Sequence, residues 1–102
     1  MFFNSTNRML WGPGTGRIEI RINGGPADYL RQRKYVQVFL TPGSYKLELS
    51  HFDIFTFNDT YPLEVGTKPM YIEVFNSPVK TNFEIHSDLP PDFAEDYVSE
   101  RS

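Results

Sequence analysis

The stretch Arg17-Ile18-Glu19-Ile20-Arg21-Ile22-Asn23 decides the fold. Ile18, Ile20 and Ile22 alternate with Arg17, Glu19 and Arg21, and successive side chains of a strand point to opposite faces, so this segment reads as a strand with one dry and one wet side. Asn23-Gly24-Gly25-Pro26 ends it. Further on, Tyr35 to Leu40 sets Val36, Val38 and Leu40 against Tyr35, Gln37 and Phe39, a β-branched and aromatic run that predicts a second strand. Thr41-Pro42-Gly43 then predicts a reversal into Ser44 to Ser50, forming a hairpin whose returning arm marks its core face with Tyr45, Leu47 and Leu49. The intervening Ala27 to Lys34 is apolar only at Tyr29 and Leu30 among its large residues. With Arg31, Arg33 and Lys34 it reads as an edge strand or a solvated loop.

Asp53 to Phe57, Tyr61 to Val65, Met70 to Asn76 and Val79 to Ile85 follow as strand candidates. The breaks between them, Asn58-Asp59, Gly66-Thr67-Lys68-Pro69 and Asn76-Ser77-Pro78, fall at the spacing of roughly 8–12 residues expected of a sandwich or barrel. The predicted fold is all-β, an antiparallel sandwich of seven to eight strands with a short C-terminal helix or tail. Residues 1–16 read as an N-terminal lead-in loop because of the cluster Trp11-Gly12-Pro13-Gly14-Thr15-Gly16, residues 17–86 as the sandwich, and residues 87–102 as an acidic tail. Within the tail, Asp92 and Glu95 resemble a capping box, and Phe93 with Tyr97 and Ala94 with Val98 fall one helical turn apart.

Composition narrows the classes. The chain has 102 residues, no cysteine and 39% hydrophobic residues, and its nine Phe, six Tyr and one Trp supply enough apolar surface for one domain core. A disordered linker is excluded, and no apolar run approaches the roughly 18 residues that suggest a membrane-spanning helix. The formal net charge of −3 argues against nucleic-acid binding, which needs a surplus of Lys and Arg. Asp88, Asp92, Glu95, Asp96 and Glu100 against Arg101 give Ser87 to Ser102 a net of −4, so the remainder carries +1. No secretory signal precedes the fold in the numbered sequence, so the cytoplasm is the default compartment, with the periplasm or envelope the alternative if a signal has been removed. Asn4-Ser5-Thr6 and Asn58-Asp59-Thr60 match the glycosylation triplet, a pattern of low specificity.

No constellation points to catalysis. His51 and Asp53 share a strand face, and Asp59 or His86 would be needed to complete a metal set; with two histidines and no cysteine, solvated or turn-bonded roles are expected and no metal or cofactor is assigned. There is no cysteine nucleophile, no serine elbow, and no pair of carboxylates outside the tail to hold across a cleft. Gly12-Pro13-Gly14-Thr15-Gly16 lacks the Gly-Lys-Ser/Thr of a phosphate loop and precedes a strand. A non-enzyme is expected.

The aromatics carry the functional expectation. With Val36 and Val38 inward, Tyr35 and Phe39 point outward, and with Ile72 and Val74 inward, so do Tyr71 and Phe75. Such a stripe suits a protein partner or the faces of sugar rings, unless Phe93 and Tyr97 of the C-terminal segment, or Trp11, fold back over it. The candidate partner-binding residues are therefore Tyr35, Phe39, Tyr71, Phe75, Asp92, Phe93, Glu95, Asp96 and Tyr97. Arg17, Arg21, Arg31, Arg33 and Lys34 read as a solvated basic face across which the acidic tail could fold.

Ile18-Glu19-Ile20-Arg21-Ile22-Asn23-Gly24-Gly25, then Tyr35 to Leu40, then Thr41-Pro42-Gly43-Ser44-Tyr45-Lys46-Leu47-Glu48-Leu49 resembles the small bacterial PEGA-like domains and the related DUF2846-type lipoprotein domains, over Arg17 to Ile85. The resemblance implies a prealbumin- or immunoglobulin-like sandwich on bacterial envelope or surface-associated proteins, without known catalysis. The expected function is a non-catalytic protein-interaction module, in its most specific form an acidic inhibitor or immunity-type protein that masks a basic partner through an aromatic sheet face and an acidic tail. A carbohydrate-binding module and a small envelope structural domain are the alternatives.

Overall fold

The computed structural model describes residues 1–6, 17–52, 56–77 and 80–100. Among them the chain runs β1 (Phe2–Asn4), β2 (Ile18–Ile22), β3 (Asp28–Leu30), β4 (Lys34–Val36), β5 (Gly43–Phe52), β6 (Thr56–Val65), β7 (Tyr71–Ser77), β8 (Lys80–His86), α1 (Phe93–Asp96) and β9 (Val98–Ser99). Two sheets pack face to face as an all-β sandwich. One is five-stranded in the order β8-β7-β1-β4-β9, the other four-stranded in the order β3-β2-β5-β6.

The alternation read from Arg17 to Asn23 explains the core. Ile18, Ile20, Leu30, Leu47, Leu49 and Leu63 from the four-stranded sheet meet Phe2, Val36, Ile72 and Val74 from the other, each at most 3% exposed. Glu19, Arg21, Lys46 and Glu48 occupy the opposite face, where Arg21 pairs with Glu19 and Lys46 with Glu48. Asn23 and Gly24, both at positive φ (53° and 70°), close a turn in which Gly25 N–H donates to Ile22 O, the Asn-Gly pattern of a type I′ turn. As expected for Ala27 to Lys34, β3 is an edge strand. The other edge, β6, carries Pro62, whose missing N–H discourages further pairing.

Several expectations are corrected. The fold does not start at Arg17: Phe2–Asn4 is the middle strand of the five-stranded sheet, parallel to β7 and antiparallel to β4. Phe2 and Phe3, 2% and 1% exposed, serve opposite faces of that sheet, and three residues are too few to show a period. The glycine- and proline-rich cluster of residues 11–16 lies outside the described residues. Tyr35 to Leu40 is a strand only as far as Val36, and it forms no hairpin with Ser44 to Ser50. β4 lies between β1 and β9, and β5 between β2 and β6, so Thr41-Pro42-Gly43 carries the chain from one sheet to the other. Asn58-Asp59 is no break, because β6 runs through it and Asp59 Oδ2 accepts a hydrogen bond from Thr81 N–H across the sheets. Parallel pairings of β1 with β7 and β4 with β9 make the five-stranded sheet mixed rather than wholly antiparallel. In residues 87–100 the short C-terminal helix, one of the expected outcomes, is present over four residues, followed by a strand paired with β4. Asp92 precedes that helix without a side-chain capping bond, so the capping box does not form.

Candidate functional site

The outer face of the five-stranded sheet is built from alternate residues of its strands: Tyr35 on β4, Phe3 on β1, Tyr71, Glu73 and Phe75 on β7, and Asn82, Glu84 and His86 on β8. The C-terminal segment lies across part of it. Phe93 meets Phe3 edge-on at 5.4 Å and Tyr35 at 5.3 Å between ring centroids, and Tyr97 stacks on Phe93 at 4.8 Å while meeting Phe3 at 5.2 Å. Tyr71 and Met1 pack against the same cluster. The segment is held by backbone bonds from Val98 N–H to Arg33 O and from Glu100 N–H to Tyr35 O, and by the Glu100 carboxylate, which accepts from both the Arg31 guanidinium and the Arg31 backbone N–H. The Arg33 guanidinium sits 5.7 Å from the Tyr97 ring centroid. Burial pushes the Tyr97 phenol above its ordinary value, against the opposing pull of Arg33.

The residues expected to meet a partner therefore separate. Phe93 and Tyr97, 8% and 7% exposed, are packing residues of the chain itself, and Tyr35, Tyr71 and Phe75 are half-buried. Phe39 stands 92% exposed, and Asp92, Glu95 and Asp96 are exposed, as is Asp88.

Phe39 belongs to the crossing segment 37–42, which with the Gly66-Thr67-Lys68-Pro69 connection bounds a cleft of about 620 Å³ at one end of the sandwich. Val38, Leu40, Leu63, Val65, Met70 and Tyr71 supply apolar walls. The alternation of β4 continues in its extension, so Val38 and Leu40 are half-buried while Phe39 is turned to solvent. The crossing segment is anchored by the Tyr45 hydroxyl, which donates to Thr41 O at 2.6 Å. Its size and apolar lining fall in the range of clefts that take small ligands.

A buried polar chain also links the two sheets. Asn4 Nδ2 donates to Leu30 O, Asn4 Oδ1 accepts from Thr6 N–H, Thr6 Oγ1 accepts from Asn76 N–H, and the Thr81 hydroxyl donates to Asn76 Oδ1. Since that hydroxyl has one proton, its contact with His51 Nδ1 requires the imidazole to donate. Tyr61 OH donates to Thr81 O at 2.9 Å. This chain satisfies groups that would be costly to bury alone, and it leaves His51 5% exposed. Asn4, fully buried and hydrogen-bonded, is no glycosylation acceptor; Asn58 is exposed.

Of the metal set weighed from sequence, the described members fall in two places. Asp53 lies outside the described residues, His51 and Asp59 both bond to Thr81, and His86 belongs to the outer face of the five-stranded sheet. There His86 Nε2 is 2.8 Å from Glu73 Oε1 and 3.8 Å from Glu84 Oε2. Sequence reasoning missed this trio because its members become neighbours only through the β7–β8 register. The cleft was missed for a related reason, since its walls come from both sheets.

Comparison with protein-family models, curated proteins and solved structures finds no match for this chain. The functional reading therefore rests on the chain's own surfaces.

Proposed function

We propose that this chain is a non-catalytic protein-interaction module that contacts its partner through Phe39 and the adjoining cleft. The exposed carboxylates of the C-terminal segment favour a basic partner, and an acidic inhibitor or immunity-type protein is the specific form of this reading. The single observation that carries it is Phe39, a large aromatic 92% exposed at the rim of an apolar cleft. Aromatic anchors beside a pocket are the common centres of protein interfaces. Tyr71 lines the cleft and also packs on the cluster containing Phe93, so the cleft and the acidic segment meet at that residue. Asp88, Asp92, Glu95 and Asp96 form no ion pair among the described residues. Their field would raise the rate of encounter with a positively charged surface. The face expected to stack sugars is the one that the C-terminal segment partly covers, which favours a protein over a carbohydrate.

The test is photo-crosslinking from position 39, with position 29 on the opposite sheet as control, followed by binding measurements with the purified adduct partner. Phe39→Ser is expected to weaken that complex by roughly tenfold or more. Neutralising the four carboxylates is expected to slow association and flatten its dependence on salt. Affinity unchanged in both variants overturns the reading.

A further inference from the structure

We propose that Glu73, Glu84 and His86 form a three-ligand site for a divalent transition-metal ion, with zinc the best match, on the outer face of β7 and β8. One ligand atom from each residue lies within 4.8 Å of the other two. The donor set combines one imidazole nitrogen with two carboxylates, which suits a borderline ion such as zinc better than magnesium or calcium, ions that prefer oxygen alone.

The register supplies the first argument. Glu73 and Glu84 are direct cross-strand partners, and like charges opposite one another destabilise an antiparallel pair, a repulsion that a bound cation would relieve. His86, two positions from Glu84 and opposite Tyr71, leans into that gap. The second argument is orientation. Glu73 Oε2 accepts a hydrogen bond from the Ser5 hydroxyl, leaving Oε1 turned toward His86, and the Phe3 ring lies 6.2 Å from the imidazole. Both supports come from the N-terminal strand and the residue after it, the arrangement in which outer groups hold metal ligands in place. Access is the third. The Glu84 side chain is 63% exposed, so an ion can enter from solvent and keep positions for water.

Because the trio lies outside the cleft, this inference stands apart from the partner-binding reading. The test uses the full chain, stripped with a chelator and titrated with zinc by calorimetry and with cobalt by visible absorption. The result expected is one ion per chain. Glu84→Gln and His86→Gln should each weaken binding by more than roughly tenfold, and Ser5→Ala by about tenfold through lost orientation of Glu73. Glu84→Gln guards against misfolding as an explanation, since the metal-free variant should be at least as stable as the parent once the charge opposite Glu73 is gone. No zinc uptake at millimolar concentration overturns the proposal. So does equal uptake by Glu84→Gln and His86→Gln, which would mark adventitious binding, and so does competition by magnesium as effective as zinc.

Discussion

Phe3 and Phe93 meet edge to face, their ring centroids 5.4 Å apart and their planes at 83°. The contact joins the N-terminal strand to the C-terminal helix on the outer side of the five-stranded sheet, where Tyr35 and Tyr97 complete the cluster. Edge-to-face pairs add to simple burial because the positive rim of one ring meets the negative face of the other. Phe93→Ala is therefore expected to lower unfolding stability by about 3 kcal/mol, read by urea denaturation, and to raise binding of a hydrophobic dye as Tyr35 and Tyr71 open to solvent. An unaltered midpoint would show that the segment contributes no packing energy.

Tyr97 gives a pH signature. Its phenol titrates above the ordinary value of 10.0 because burial disfavours the phenolate, while the unfolded chain ionises normally. Sign follows from linkage: the unfolded state releases its proton first as pH rises, so stability is fully present below about pH 10 and declines above it, toward the folded-state value. Tyr97→Phe should remove that share of the alkaline decline. The comparison is thermal melting of both proteins from neutral to strongly alkaline pH.

Thr81 sits where the polar chain crosses between the sheets, fully buried, donating to Asn76 and accepting from His51. Thr81→Val keeps the shape and deletes the hydroxyl, at an expected cost of about 1–3 kcal/mol. Thr81→Ser keeps the hydroxyl and should recover much of that loss. Chemical denaturation of the pair separates the hydrogen bonds from the methyl packing.

Phe39 should behave in the opposite way. A side chain 92% exposed contributes little to folding, so Phe39→Ser is expected to change stability by less than about 0.5 kcal/mol. A larger loss by calorimetry would mean that the ring packs on the fold and is no free anchor.

At the turn after β2, Asn23 holds φ at 53° and its side-chain Oδ1 accepts from Lys46 N–H at 2.7 Å. Asn23→Ala strains the backbone by about 1 kcal/mol and also loses that bond, whereas Asn23→Gly loses only the bond. The glycine variant should therefore melt at the higher temperature of the two.

Legibility followed the range of the interaction. Ile18, Ile20 and Ile22 declared their faces within seven residues, and Leu47 and Leu49 did the same, because a two-residue repeat is written in neighbours. The outward direction of Tyr35 and Tyr71 was readable for the same reason. That Phe93 and Tyr97 would lie over that face, rather than leave it open, was one of two outcomes that local pattern could not separate. Asn58-Asp59 misled because its polarity suits a turn, and only the approach of Thr81 shows why Asp59 belongs inside a strand.

What the amino-acid order alone determined is the two-sided character of the strands, and hence an all-β sandwich with an apolar interior, since alternation is a local property of the backbone. Tertiary structure decided which sheet each strand joins, that Phe2–Asn4 lies at the centre of one of them, and which side chains face each other across β7 and β8. Those choices depend on partners far apart in the chain: Phe2 pairs with Val36 and Ile72, and Glu73 with Glu84, through hydrogen-bond registers that no local repeat encodes.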